Sequence, residues 1–284
     1  MGPCEHARAV RGKGRGIGEL EALFAPVYGR TIVTGGGSGI GRAVALSLAR
    51  LGNTVYIMGR TRSKLDETAL LAEGTAGRIV AVVYDMTDPT SVASAFAFIA
   101  ADGGPAQALV HAASDATPCL GEEISIELFR HTVAAVLEGT FSTVQTWARA
   151  LIASELPGVA VCYTSSTSSR ETPGLSHSSA AKNGVQSMIR SWAREWGRFG
   201  LRLSMIGPGF FPEPDMHHTA ALNVDKTRRR LLERIALGRQ GEMHEIVGPA
   251  VWLLSRSGTY MTGEGFSVDG GIHLLDWTRA PGDA

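Results

Sequence analysis

The chain has 284 residues, 44% of them hydrophobic and 19% charged, so it can bury a large core. Lys+Arg and Asp+Glu are equal at 27 each, which argues against a nucleic-acid partner because binding to phosphates needs a positive field. Three cysteines show no paired spacing, and no apolar run approaches the roughly 20 residues of a membrane span. We therefore expect a cytoplasmic protein with no metal site, no nucleic acid and no membrane partner.

From Arg30 onward, short apolar runs alternate with helical patterns. The predicted strands are TIVT, TVYIM, RIVAVVYD, QALVHAA, GVAVCYT, LRLSMIG and GFSVDGG. These runs are continuously apolar, which is typical of parallel strands covered on both faces. The sequence therefore predicts an α/β fold, a single doubly wound Rossmann domain over residues 29–284 with a seven-stranded parallel sheet. Residues 1–28 are interpreted as a flexible extension, and residues 207–240 as a small substrate lid.

Helix boundaries follow from capping residues. Asp88 followed by Pro89 is typical of a helix start. One long helix is expected over about 125–153. Another is expected to begin near Ser178, which is either an active-site residue or only a cap, and to end at Gly200.

Residues 34–41, TGGGSGIG, join the first strand to the first long helix. Glycines allow a tight turn and a close approach of the backbone to a pyrophosphate, and the helix N-terminus supplies free N–H groups. The loop therefore predicts a dinucleotide site with contacts from Gly35, Ser38, Gly39, Ile40 and Gly41.

The residue after the second strand indicates which dinucleotide binds. NAD enzymes place an acid there, whereas this chain has Arg60, with Arg42 and Arg62 nearby. Guanidinium groups fit a 2′-phosphate, so NADP(H) is predicted as the cofactor, unless the arginines are only solvated charges. Asp85, after the third strand, is expected either to meet the adenine amino group or to cap a helix.

Together, TGGGSGIG, DMTD, SSAAK, IGPG and MTGEGFSVDGG make the chain resemble a short-chain dehydrogenase/reductase over about residues 30–274. The resemblance adds Met86, Ala112, Pro208 and Gly209 to the cofactor contacts, and Phe210 and Phe211 beside the nicotinamide and substrate. The family's usual active site is Asn, Ser, Tyr and Lys. Lys182 matches the lysine, and Ser165 the serine, or Ser166 if one residue is inserted. Ser178 stands at the tyrosine position, and Val136 at the asparagine position.

Several segments resemble the branch of 2,4-dienoyl-CoA and trans-2-enoyl-CoA reductases: HAASDATPCLGEEIS, VLEGTF, HSSAAKNGV and AREWGRFGLRLSMIGPG. In the dienoyl enzymes of that branch a serine likewise replaces the tyrosine, but a second tyrosine follows the fifth strand, and residues 164–176 here contain none. The resemblance implies NADP(H)-dependent reduction of an enoyl thioester, with Ser165, Ser178 and Lys182 as catalytic residues.

The hydroxyls of Ser165, Ser166, Thr167, Ser169 and Ser178 supply candidate donors to the thioester oxygen. His177 is a candidate proton source, and His217 and His218 are candidate substrate contacts. Two alternatives stay open: reduction of a ketone or imine with a relocated acid, and cofactor binding without hydride chemistry. The family also implies a small-molecule substrate and a homo-oligomer, either a tetramer or a dimer.

Overall fold

Seven strands form one parallel sheet in the order β3-β2-β1-β4-β5-β6-β7, which confirms the predicted fold class. The structure is a computed structural model that describes residues 20–115, 117–168, 172–211, 229 and 231–274. The strands are β1 Arg30–Thr34, β2 Thr54–Gly59, β3 Arg78–Val83, β4 Ala108–His111, β5 Gly158–Tyr163, β6 Leu201–Pro208 and β7 Gly265–Val268.

The described helices cover both faces of the sheet. They are α1 Leu20–Phe24, α2 Gly39–Arg50, α3 Arg62–Leu70, α4 Pro89–Ala101, α5 Ile126–Val133, α6 Gly139–Ala153, α7 Ser176–Trp196 and α8 Met243–Leu254. The predicted start of α4 is confirmed, because the Asp88 side chain accepts the Thr90 N–H and Pro89 is the first helical residue.

Two hydrophobic cores lie on opposite faces of the sheet. One packs α4, α6 and α7 against one face, with Trp147 and Ile189 fully buried. The other packs α2 and α8 against the other face, with Leu48 and Leu253 fully buried. The order of the strands reverses between β1 and β4, which is the point of an open parallel sheet where ligands bind.

The long helix predicted for about 125–153 is divided in two. A π turn at Ala134–Glu138 separates α5 from α6, and the Gly139 N–H donates to the Ala134 carbonyl. A π turn has one more residue per turn than an α-helix, and the sequence pattern shows no sign of it.

The helix that carries Ser178 begins earlier than predicted. Its N-cap is Leu175 and its first residue is Ser176, so Ser178 lies inside the first turn and the cap interpretation is wrong. Its predicted end is close to the observed one, since a 3₁₀ turn follows Trp196 and Gly200 adopts a left-handed φ of 77°.

The segment before β1 also differs from the prediction. Residues 20–28 contact α8 and the segment after it, because the Val27 N–H donates to the Leu254 carbonyl and Ser257 Oγ donates to the Leu23 carbonyl. These contacts do not fit a flexible segment over residues 20–28, and residues 1–19 of the predicted extension lie outside the described residues. So do most of the predicted lid, including His217 and His218, and the loop residue Ser169.

Candidate active site

The loop between β1 and α2 forms a cradle that side chains would fill. A Cβ atom on Gly41 would lie 2.3 Å from the Gly35 carbonyl oxygen, and one on Gly35 would lie 3.0 Å from the Ala113 nitrogen. Gly35 and Gly39 have positive φ angles of 68° and 48°. Ser38 is the N-cap of α2, yet its side chain makes no capping hydrogen bond. The cradle and the helix N-terminus therefore fit the pyrophosphate of a dinucleotide.

All three arginines near the end of β2 are paired with carboxylates. Arg60 Nη2 lies 2.9 Å from Asp115 Oδ2, in the loop after β4. The other two pairs are Arg42 with Glu67 at 3.0 Å and Arg62 with Asp66 at 2.8 Å. Arg42 also donates to the Gly37 carbonyl, which fixes it against the glycine loop. Of the three arginines, only Arg60 pairs with a residue that follows β4, and this ion pair passes over the end of β1.

Asp85 stabilises its own turn and does not cap a helix. Its Oδ1 accepts the Thr87 N–H at 2.9 Å and the Thr87 hydroxyl at 2.7 Å. These hydrogen bonds lower the pKa of the Asp85 carboxyl, and the charge of Arg60 lowers it further. Asp88 is the cap, so the cap interpretation of Asp85 is wrong. Met86 packs near α6, where a Cβ on Gly139 would lie 2.8 Å from its Cγ.

A buried hydrogen-bond chain runs through His111 at the end of β4. Thr34 Oγ1 accepts the N–H groups of Ala112 and Ala113, both at 3.1 Å, so its own proton points to His111 Nδ1 at 2.9 Å. His111 Nε2 lies 3.0 Å from Thr140 Oγ1, and Thr140 donates in turn to the Val136 carbonyl at 2.6 Å. The donor and acceptor directions of these hydrogen bonds are consistent only if the imidazole is neutral and protonated on Nε2. Burial lowers the pKa of His111 to about 4, in keeping with that form.

The hydroxyl-rich loop after β5 contains two serines in different environments. Ser165 is half-buried, and its Oγ accepts the Thr167 N–H at 3.3 Å. Ser166 is buried, its Oγ has no hydrogen-bond partner, and its N–H donates to the Pro208 carbonyl at 3.3 Å. The more accessible hydroxyl is therefore that of Ser165, the serine predicted from its spacing to Lys182.

Two amides of α7 hold this loop against the helix. Gln186 Nε2 donates to Ser168 Oγ at 2.6 Å, and Asn183 Nδ2 donates to the Ser168 carbonyl. The Ser168 hydroxyl donates to the Ser165 carbonyl at 3.0 Å. Neither amide is among the residues predicted from the sequence, although Asn183 and Gln186 lie at helical spacing from Ser179 on one face of α7.

On α7, Ser178 is buried and Lys182 is half-buried, one helical turn later on the same face. His177 is also buried, and its Nε2 lies 3.0 Å from the Thr117 carbonyl oxygen, while its Nδ1 has no hydrogen-bond partner. A carbonyl oxygen can only accept a hydrogen bond, so His177 Nε2 carries a proton and donates it to the Thr117 carbonyl. Val136, at the position of the family asparagine, is buried in the core.

The Pro208–Gly209 turn follows β6 and leaves no room for a side chain. A Cβ on Gly209 would lie 2.5 Å from the Asp269 Cα. Phe210 is half-buried beside it. Phe211, in contrast, is buried in the core under α8, so little of its side chain is available to a cofactor or substrate.

The chain has five tyrosines, and the structure describes all of them. Tyr163 donates to the Ile246 carbonyl at 3.0 Å in the α8 layer, and burial raises its pKa. Tyr84 is buried against Thr143, and Tyr260 is fully exposed between α8 and β7. Tyr56 binds Arg30 near the opposite end of the sheet, and Tyr28 precedes β1. None of them lies on α7 or in the loop after β5.

A sheet of this order, with a glycine cradle at the β1–β4 switch point, defines a Rossmann-fold protein of the dinucleotide-binding class. A sequence model of the family described as "Enoyl-(Acyl carrier protein) reductase" matches residues 35–273. The chain belongs to the short-chain dehydrogenase/reductase family, whose members are NAD(P)-dependent oxidoreductases.

Individual relatives have different substrates. The chain is 31% identical over 251 residues to "Gluconate 5-dehydrogenase" of Gluconobacter oxydans, covering 88% of this chain and 96% of the relative. It is also 31% identical over 244 residues to "Probable 2,4-dienoyl-CoA reductase [(2E)-enoyl-CoA-producing]" of Bacillus subtilis, covering 86% and 96%. A solved structure from Agrobacterium tumefaciens, a "putative 2-deoxy-d-gluconate 3-dehydrogenase" with bound NADP, has a TM-score of 0.79, 30% identity, and coverage of 88% and 98%.

Within the described residues, no three His, Cys, Asp or Glu side chains come together as a potential metal site. No helix in this part of the chain is long and apolar enough to cross a membrane.

Proposed function

We propose that the protein is an NADP(H)-dependent oxidoreductase that reduces the C=C bond of an enoyl thioester. One observation carries the proposal: a buried Ser178 stands one turn before Lys182, while all five tyrosines lie elsewhere. Carbonyl reduction needs an acid that gives up a proton as hydride arrives. Enoyl reduction leaves negative charge on the thioester oxygen, which requires hydrogen-bond donors and no immediate proton transfer.

The residues of the site have distinct roles in this reaction. The bound NADPH supplies the hydride that reaches the β-carbon of the substrate. Lys182 holds the nicotinamide ribose, and the hydroxyls of Ser165 and Ser178 donate to the thioester oxygen. Loss of one such donor costs about 10²–10³ in rate. The α-carbon is protonated afterwards, from water or from a side chain.

The cofactor contacts follow from the cradle. The N–H groups of Gly39, Ile40 and Gly41 at the start of α2 bind the pyrophosphate. Arg60 binds the 2′-phosphate, and Asp85 the adenine amino group. Backbone atoms of Ala112, Pro208 and Gly209 line the nicotinamide half. The NADP bound to the Agrobacterium relative supports this cofactor.

A second candidate function is cofactor binding without hydride chemistry. It is favoured by Tyr163, whose hydroxyl donates to Ile246, so the one tyrosine next to the loop after β5 cannot replace the missing acid. A ketone or imine substrate is a third possibility, which the name of the Gluconobacter relative supports.

The test is NADPH oxidation with crotonyl-CoA, a dienoyl-CoA and a panel of ketones, followed by absorbance. We expect turnover of an enoyl or dienoyl thioester and none after Lys182→Ala, which also weakens NADPH binding. Turnover of ketones alone would contradict the enoyl assignment. NADPH binding with no turnover of any substrate would favour the second candidate.

A further inference from the structure

Three side chains from different elements meet above the end of β1. Arg60 follows β2, Asp115 follows β4, and His131 lies on α5. Arg60 Nη2 is 2.9 Å from Asp115 Oδ2, and His131 Nε2 is 3.6 Å from the same oxygen. Because β1 lies between β2 and β4 in the sheet, the Arg60–Asp115 pair spans the strand from which the glycine cradle starts.

The charge of Arg60 is already paired with a carboxylate in this arrangement. Its side chain is 61% exposed, whereas that of Asp115 is 28% exposed, so the carboxylate is the better-packed partner. Asp85 also interacts with Arg60. The hydrogen bonds from Thr87 are the main cause of the lowered pKa of Asp85, and the charge of Arg60 adds to them. Two carboxylates therefore act on the guanidinium that the proposed function assigns to the 2′-phosphate.

We propose that Asp115 is a specificity-determining residue that competes with the cofactor 2′-phosphate for Arg60. The inference rests on the proposed function, which assigns Arg60 to that phosphate. When the phosphate binds, Arg60 exchanges a carboxylate for it, and Asp115 is left with His131. NADH carries a hydroxyl at this position and requires no exchange. Asp115 therefore weakens NADPH binding and leaves NADH binding nearly unchanged.

The test is isothermal titration of NADPH and NADH into the wild type and Asp115→Asn, which keeps the shape of the side chain and removes its charge. We expect the Kd of NADPH to fall about two- to fivefold, the range that exposed ion pairs contribute, and that of NADH to change less than about twofold. Glu264→Gln is the matched control: it removes the carboxylate of an exposed pair with Arg190, 3.2 Å long, between α7 and the start of β7. It should leave both Kd values unchanged.

A double-mutant cycle tests whether Asp115 acts through Arg60. In the Arg60→Ala background, Asp115→Asn should no longer tighten NADPH binding. Tightening of the same size in that background would mean that Asp115 repels the phosphate directly, and the competition would be overturned. An unchanged NADPH Kd in the single variant would overturn it too. A wild type that binds neither nucleotide would instead refute the proposed function, so the two failures are distinguishable.

Discussion

Acid should destabilise the protein through His111, because the buried imidazole is held in its neutral form. Both ring nitrogens are engaged, Nδ1 as acceptor from Thr34 and Nε2 as donor to Thr140. Protonation of Nδ1 would direct its proton against that of the Thr34 hydroxyl, whose oxygen lies 2.9 Å from Nδ1 inside the core. The chain of hydrogen bonds from β1 to the π turn would then break.

The magnitude follows from the difference between the folded and unfolded pKa values. Burial lowers the pKa of His111 from 6.5 to about 4. Because the folded pKa is the lower one, the unfolded state takes up the proton first, and stability falls as the pH drops from about 6.5 toward about 4. At 1.36 kcal/mol per unit, the contribution lost is about 1.4 kcal/mol at pH 5.5 and about 2.5 kcal/mol at pH 4.5.

The assay is urea unfolding at pH 7.5, 5.5 and 4.5 for the wild type and His111→Asn. The difference in unfolding free energy between the two proteins cancels the other titrating groups. We expect this difference to change by about 2.5 kcal/mol in favour of the variant between pH 7.5 and 4.5. His244→Asn controls for the loss of an exposed histidine as such. A difference that stays constant over this pH range would refute the reasoning.

Four further predictions concern the cofactor, the site, the fold and the assembly. NADPH should bind at least about tenfold more tightly than NADH, roughly 1.4 kcal/mol, and Arg60→Ala should remove most of that gap; equal Kd values in the wild type would contradict it. Ser178→Tyr should block enoyl reduction and leave NADPH binding intact; a rise in ketone reduction, measured in the same absorbance assay, would indicate a carbonyl reductase. Arg30→Met should lower the unfolding free energy by about 2–4 kcal/mol in urea titrations, because the guanidinium binds carbonyls in the last turn of α4 and in the segment just after it, together with the Tyr56 hydroxyl; a loss below about 0.5 kcal/mol would show that these bonds matter little. Finally, the protein should be a homo-oligomer by light scattering at micromolar concentration, since Phe141 is 43% exposed over the stacked pair of Trp192 and Trp196; a wild-type monomer would contradict it.

Most of the fold could be predicted from local patterns. A strand such as Thr54–Gly59 is an apolar run between turn residues, and the start of α4 is encoded in Asp88 and Pro89. The π turn could not be predicted, because its sequence, AAVLE, suits an α-helix equally well and the turn forms only in the packed protein. The attachment of residues 20–28 was missed for a similar reason, since the helix that they contact lies more than 200 residues away.

The candidate site also has a part that local sequence predicts and a part that it does not. The glycine cradle follows from residues within one loop, and the structure bears out its shape. The partners of His111 lie 77 and 29 residues away in the chain, so no local sequence pattern points to them. The pairing of Arg60 with Asp115 spans 55 residues, and no local pattern reports it. The order of the strands in the sheet determines which side chains meet across its edge, and local sequence does not reveal that order.

The π turn at Ala134–Glu138 also restricts how the gene can change length. Each residue of an α-helix turns the chain by about 100°, and the π turn accommodates one residue in excess. Deleting a codon there would remove that excess residue and leave a regular helix, so α6 would keep its orientation relative to α5. A codon deleted inside α6, before Thr143, would have the opposite effect: the residues after it would rotate by about 100°, and Thr143 and Trp147, now buried, would turn away from the core. The chain can therefore lose a residue at the π turn more easily than within the helix that follows it.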